Sequence, residues 1–130
     1  MLVVDYLIQN RDRHGANIEV LRNARNHTVR IAPLFDHGLS LLCSCYTEEE
    51  IEAFDCLAER PCNNFIGSRS PFNNLELISD KAHIFNTLLK ESDRNILFAD
   101  LQGILTPKHF DKIWEMIWSR WCHYEDLCNL

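Results

Sequence analysis

Residues 10–17 read Asn-Arg-Asp-Arg-His-Gly-Ala-Asn, placing a carboxylate, Asp12, five positions ahead of an amide, Asn17, in a stretch too polar and turn-prone for a core. A second carboxylate, Asp36, follows in the phrase Leu34-Phe35-Asp36-His37-Gly38. These are hard oxygen donors, and Mg²⁺ prefers carboxylates, carbonyls and water. Phosphoryl transfer from ATP needs little else from a protein than an oriented acceptor hydroxyl and magnesium held against the phosphates. In that chemistry Asp12 orients the hydroxyl or accepts its proton, Asn17 offers magnesium a neutral oxygen and Asp36 a charged one. His14 is placed to hold the loop shape or face a phosphate, and Arg11 and Arg13 to pair with phosphate or with the carboxylate.

The elements that position these groups are short. Residues 2–8 are apolar nearly all round, which favours a short buried helix running into the motif, with Val3 and Val4 also compatible with a strand. Residues 18–21 and 28–31 are β-favouring runs separated by Asn23-Ala24-Arg25-Asn26, which predicts a small hairpin. One end of the hairpin carries Asn17 and the outgoing strand delivers Asp36 to that same end. Groups far apart in sequence thereby become neighbours.

From Thr47 the pattern is helical. Thr47 and Glu50 form a capping box, Ile51, Phe54 and Leu57 form an apolar stripe, and Pro61 ends the helix. Residues 62–74, rich in Asn, Ser, Gly and Pro, predict a long irregular loop suited to contact with a substrate or partner. A helix is expected over 80–90 with Ala82, Phe85 and Leu89 inward, and another over 93–102, capped by Ser92, with Ile96, Leu97 and Leu101 inward. The clearest start signal is Thr106 followed by Pro107. Phe110, Ile113, Trp114, Ile117, Trp118 and Trp121 then keep helical spacing, which marks a core stripe rather than a cofactor site.

The motif resembles the protein kinase superfamily: Asp12 and Asn17 have its catalytic-loop spacing, and Asp36-His37-Gly38 is similar to its magnesium-binding Asp-Phe-Gly segment. Asn10, Asp12, His14 and Asn17 together resemble the Asn-x-Asp-x-His-x-x-Asn of bacterial HipA-type serine/threonine kinases, while the histidine in Asp-His-Gly is also similar to phosphatidylinositol kinases. The resemblance implies a mainly α domain with a small β-hairpin, equivalent to a HipA-type C-lobe, over residues 1–130. Residues 1–40 would carry the catalytic loop, hairpin and metal segment, and 41–130 a helical subdomain. It makes Asp12 catalytic with His14 beside it, Asn17 and Asp36 the ligands of Mg²⁺ and ATP, and a protein serine or threonine the acceptor. A kinase also needs a glycine-rich loop, a strand lysine and its glutamate partner. There is no glycine before Gly15 and no lysine before Lys81, so the chain is expected to need an N-lobe-bearing segment and to be inactive alone. The resemblance further suggests an antitoxin-like protein as partner.

The chain's size and hydrophobic content of 46% suit one globular unit. Residues 1–40 hold five Arg against four acids and residues 41–130 eight bases against fifteen acids, which argues against a broad nucleic-acid surface. No apolar run reaches the ~20 residues of a membrane span. Without a secretory signal pattern, the six cysteines point to a cytoplasmic chain with reduced thiols. Zinc binding competes with this, but Cys43, Cys45, Cys56 and Cys62, or Cys122, His123 and Cys128, lack paired Cys-x-x-Cys knuckles. A lipid kinase fragment, or a non-catalytic module whose acidic helical face binds a protein, would also carry these residues.

Overall fold

A computed structural model describes residues 1–80, 88–101 and 103–129. Helix α1 (Leu2–Leu7) leads into a two-residue strand β1 (Asp12–Arg13), a 3-10 turn (Gly15–Asn17) and a hairpin of β2 (Val20–Asn23) and β3 (Thr28–Ile31). Helix α2 (Glu48–Glu52), strand β4 (Asn63–Asn64), α3 (Pro71–Glu76), α4 (Asp93–Leu97) and the long α5 (Pro107–Cys128) follow. Among the described residues the sheet content is two separate ladders: β1 pairs with β4 in parallel, and β2 pairs with β3 antiparallel, Val20 opposite Ile31 and Asn23 opposite Thr28. The result is a small, largely helical domain with little β structure.

Helix α5 organises the core. Thr106 accepts a hydrogen bond from the His109 N–H, Pro107 occupies the first turn, and Asn129 ends the helix in the left-handed region. Trp121 and Tyr124 pack with Val3 and Tyr6 of α1 and Leu75 of α3, whereas Ile113 and Met116 pack with Leu42, Ile51, Phe54 and Cys56. Ile117 and Trp118 of the expected stripe are only partly buried. Met116, Arg120 and Tyr124, four residues apart, form a second buried line, because α5 is covered on two sides.

Arg120 is the polar tie within this core. It is 1% exposed and donates to three carbonyls, Cys56 at 2.8 Å, Tyr6 at 3.2 Å and Ala58 at 3.2 Å, with its guanidinium 4.9 Å from the Tyr6 ring centroid. Burial lowers its pKa. Five donors in a rigid fork let one arginine satisfy carbonyls from two segments.

Several expected boundaries move for local reasons. Helix α2 stops at Glu52, well before Pro61, because the Asp55 carboxylate accepts the Leu57 and Ala58 N–H groups in a competing turn; Leu57 is consequently exposed. The capping box at Thr47 and Glu50 does form. Residues 62–74 are not one irregular loop, since β4 pairs with β1 and Pro71 opens α3 behind Ser70 as its cap. Asn74 fastens that segment, accepting from the Ser68 N–H and donating back to the Ser68 carbonyl. Helix α4 is shorter than 93–102, its Ser92 makes no cap bond, and Ile96 is 75% exposed. Phe98 docks this region instead, 5.2 Å from Phe110. Most of the helix expected over 80–90, residues 81–87, falls outside the described residues.

Burial pushes the Cys56 thiol up to about 11, helped by nearby Glu115, and pushes the Tyr6 hydroxyl up to about 12, opposed by Arg120. Both groups are held neutral by folding, so their contribution is fully present below the unfolded values of 9.0 and 10.0 and is lost as pH rises through the folded ones. The urea midpoint should therefore fall between pH 9.0 and about 12, and Tyr6→Phe should flatten the upper part of that decline.

Candidate active site

The polar stretch is built on a carboxylate buried one helix earlier. Asp5 of α1 is 3% exposed and Arg13 of β1 is 0% exposed. The Arg13 Nε donates to both Asp5 oxygens at 3.1 Å and its Nη2 donates to Oδ1 at 2.7 Å. A buried charge must be paired, and this planar, forked pairing fixes orientation as well as charge. Asn10 joins from the side, donating to Asp5 Oδ1 at 3.0 Å and accepting the Asp12 N–H at 3.1 Å.

The rest of the Arg13 fork assembles the corner. Its Nη1 donates to the Asn17 carbonyl at 3.2 Å and to the Phe35 carbonyl at 2.6 Å, so the main chain on either side of the hairpin meets on one nitrogen. Its Nη2 also lies 3.0 Å from His37 Nδ1. Because arginine has no acceptor, that ring nitrogen receives the hydrogen bond and the imidazole proton sits on Nε2. Asp36 lies between two residues that Arg13 holds, is exposed, and has φ +54°. Aspartate enters the left-handed region more readily than most non-glycine residues, and Arg13 holds the residues on either side of it.

Asn17 is 5% exposed, and its amide nitrogen donates to the Asp12 carbonyl at 2.9 Å. Its Oδ1 accepts no hydrogen bond among the described residues, which leaves that oxygen for an outside partner. Asp12 is partly exposed. Its Oδ1 accepts from Asn63 Nδ2 at 3.1 Å across the parallel ladder, and its Oδ2 lies 3.7 Å from His14 Nε2. His14 caps the 3-10 turn, its Nδ1 accepting the Ala16 N–H at 3.2 Å. Strand β4 docks through the Asn63 N–H to the Arg11 carbonyl at 2.7 Å and the Phe65 N–H to the Arg13 carbonyl at 2.8 Å. A side chain at Gly15 would meet the Phe65 ring at 3.1 Å, so this close approach requires glycine or a shifted ring.

No family model, curated protein or solved structure matches this chain. Among the described residues no group of three or more His, Cys, Asp or Glu converges as a metal cluster, and all six cysteines are free thiols. Magnesium bound with a nucleotide takes one or two protein ligands and several phosphate or water oxygens, and Asn17 with Asp36 fits that demand by donor type.

The two arginines of the motif part company. Arg13 is wholly buried and committed to Asp5, so, against expectation, it cannot pair with a phosphate; Arg11 is exposed. Sequence reasoning misses four features that shape the site: Asp5, the structural role of Arg13, His37 and Asn63. A lone carboxylate inside the apolar run 2–8 is a usable signal, since a buried Asp demands a cation. Nothing local marks Asn63.

Asp5→Ala should destabilise the domain by about 3–5 kcal/mol, because it strands a buried guanidinium. Replacing both partners, Asp5→Leu with Arg13→Met, should recover much of that loss in urea denaturation. The double variant should still disorder the Asp36 amide resonance.

Proposed function

We propose that residues 10–38 form the magnesium and phosphoryl-transfer corner of a HipA-like serine/threonine kinase C-lobe, acting with an N-lobe-bearing segment that supplies the lysine and glycine-rich loop. The observation that carries this reading is that Arg13 bonds the Asn17 carbonyl, next to an uncommitted Asn17 Oδ1, and also bonds Phe35 and His37 on either side of the exposed Asp36. Asn17 and Asp36 would hold Mg²⁺ against the phosphates of ATP. Asp12, steadied by Asn63, would orient the acceptor hydroxyl of a protein serine or threonine and take its proton, with His14 holding the turn between Asp12 and Asn17.

Magnesium would neutralise the developing charge on the phosphates. Asp12 is one strand residue from Arg13, so the base and the metal ligands are referred to the same buried support. An all-oxygen donor set of this kind suits a hard cation and offers no soft ligand for zinc. A protein hydroxyl is the acceptor implied by the HipA-type pattern of Asn10, Asp12, His14 and Asn17. An antitoxin-like protein would be the partner suggested by the same resemblance.

Titration of Mg²⁺ with ADP should shift the amide resonances of Asn17 and Asp36, and Asp36→Asn should remove the magnesium dependence. Absence of any magnesium-dependent shift, with an N-lobe supplied, would refute the reading. In the reconstituted enzyme Asp12→Asn should lower transfer by roughly 10²–10⁴-fold while sparing nucleotide binding; transfer at the original rate would remove Asp12 from its role.

A further inference from the structure

The β2–β3 hairpin stands out from the domain. Every residue of both strands is exposed, with Val20 at 60%, Val29 at 63% and Ile31 at 54%. A lone two-stranded ladder is marginal in water, and apolar side chains at these exposures gain little from the rest of the chain. The Ala32 N–H donates to the Glu19 carbonyl at 2.9 Å, which makes 19 and 32 a hydrogen-bonded pair. By antiparallel alternation, the N–H and C=O groups of Val29 and Ile31 then point outward from the free edge of β3.

The charge here is the reverse of the chain's. Between residues 18 and 35 the bases are Arg22, Arg25 and Arg30 and the single acid is Glu19, in a protein of net charge −6. Arg22, Arg25 and Arg30 line one concave polar surface around the turn. Like-charged hairpins repel one another, so this edge is protected from its own copies and open to an acidic strand. Glu19 lies at the start of β2, which leaves β3 as the edge without an acid beside it. No Phe, Tyr or Trp lies in residues 18–34 and His27 is the single ring there, which offers no run of stacking platforms and disfavours single-stranded nucleic acid as the occupant.

We propose that the β3 edge is a docking site for an extended acidic protein segment with apolar residues at alternate positions, which adds to the hairpin as a third strand. The segment's backbone pairs with the outward groups of Val29 and Ile31, its apolar side chains lie on the same face as Val29 and Ile31, and its carboxylates lie on the opposite face beside Arg30 and reach Arg25 at the turn. Pro33 bounds the edge on one side and the turn bounds it on the other, which favours a short segment. This site is independent of phosphoryl transfer, and neither reading requires the other.

The test is an amide-resonance titration of the full chain with a short peptide alternating Glu and Val. Saturable shifts should appear at Val29 and Ile31, and a Lys–Val peptide of equal length should give none. Arg25→Glu with Arg30→Glu should weaken binding roughly tenfold or more. Val29→Pro should weaken it comparably without changing charge, since it removes an outward donor and spares the ladder; unchanged helical circular dichroism controls for folding in both variants. Equal binding by the charge-reversed variant, displacement by oligothymidylate, or shifts confined to other elements would overturn the proposal. So would self-association of the chain through this edge, seen as concentration-dependent shifts that the charge reversal abolishes.

Discussion

The buried pair of Asp5 and Arg13 is the constraint from which the motif region takes its shape. A guanidinium with no exposure has to place each of its donors, and here they reach a carboxylate on α1, the carbonyls of Asn17 and Phe35, and the His37 ring. Pairs of this kind contribute little net stability compared with apolar residues of the same volume. What the pair supplies is position. One planar group brings the first helix, the loop of residues 10–17 and the segment after the hairpin to a common point.

Arg120 does for the helical body what Arg13 does for the loops. It reaches the carbonyl of Tyr6 at the end of α1 and the carbonyls of Cys56 and Ala58 beyond α2, joining two hydrophobic clusters that meet along α5. The two arginines are therefore in series. Arg120 fixes where α1 ends, α1 fixes Asp5, and Asp5 fixes Arg13. The candidate metal ligands sit at the far end of that chain of contacts.

The legible parts were those with a strong local cause. Thr106 with Pro107 and the tryptophan spacing marked α5, Thr47 with Glu50 marked the start of α2, and the β-branched runs marked the hairpin. What escaped was set by partners that local pattern does not reveal. Asp55 ended α2 by capturing amides, Phe98 rather than Ile96 docked the region of α4, and Asn63 was drawn into a parallel bridge by the backbone of residues 11–13. At the candidate site Asp12, Asn17 and Asp36 stand out in the sequence because metal-assisted chemistry would need those residue types in a pattern. Their supports do not, since Arg13 looks like one more charge in a polar motif until its burial is known.

The Arg120 bond to Tyr6 spans 114 residues of sequence. During synthesis the first helix emerges early, yet the side chain that clasps its end arrives only when α5 is made. Until then α1 lacks both that clasp and the Trp121 and Tyr124 surface on which it rests. Contacts of such separation form late and slowly. The motif thus leaves the ribosome well before the helix against which α1 packs.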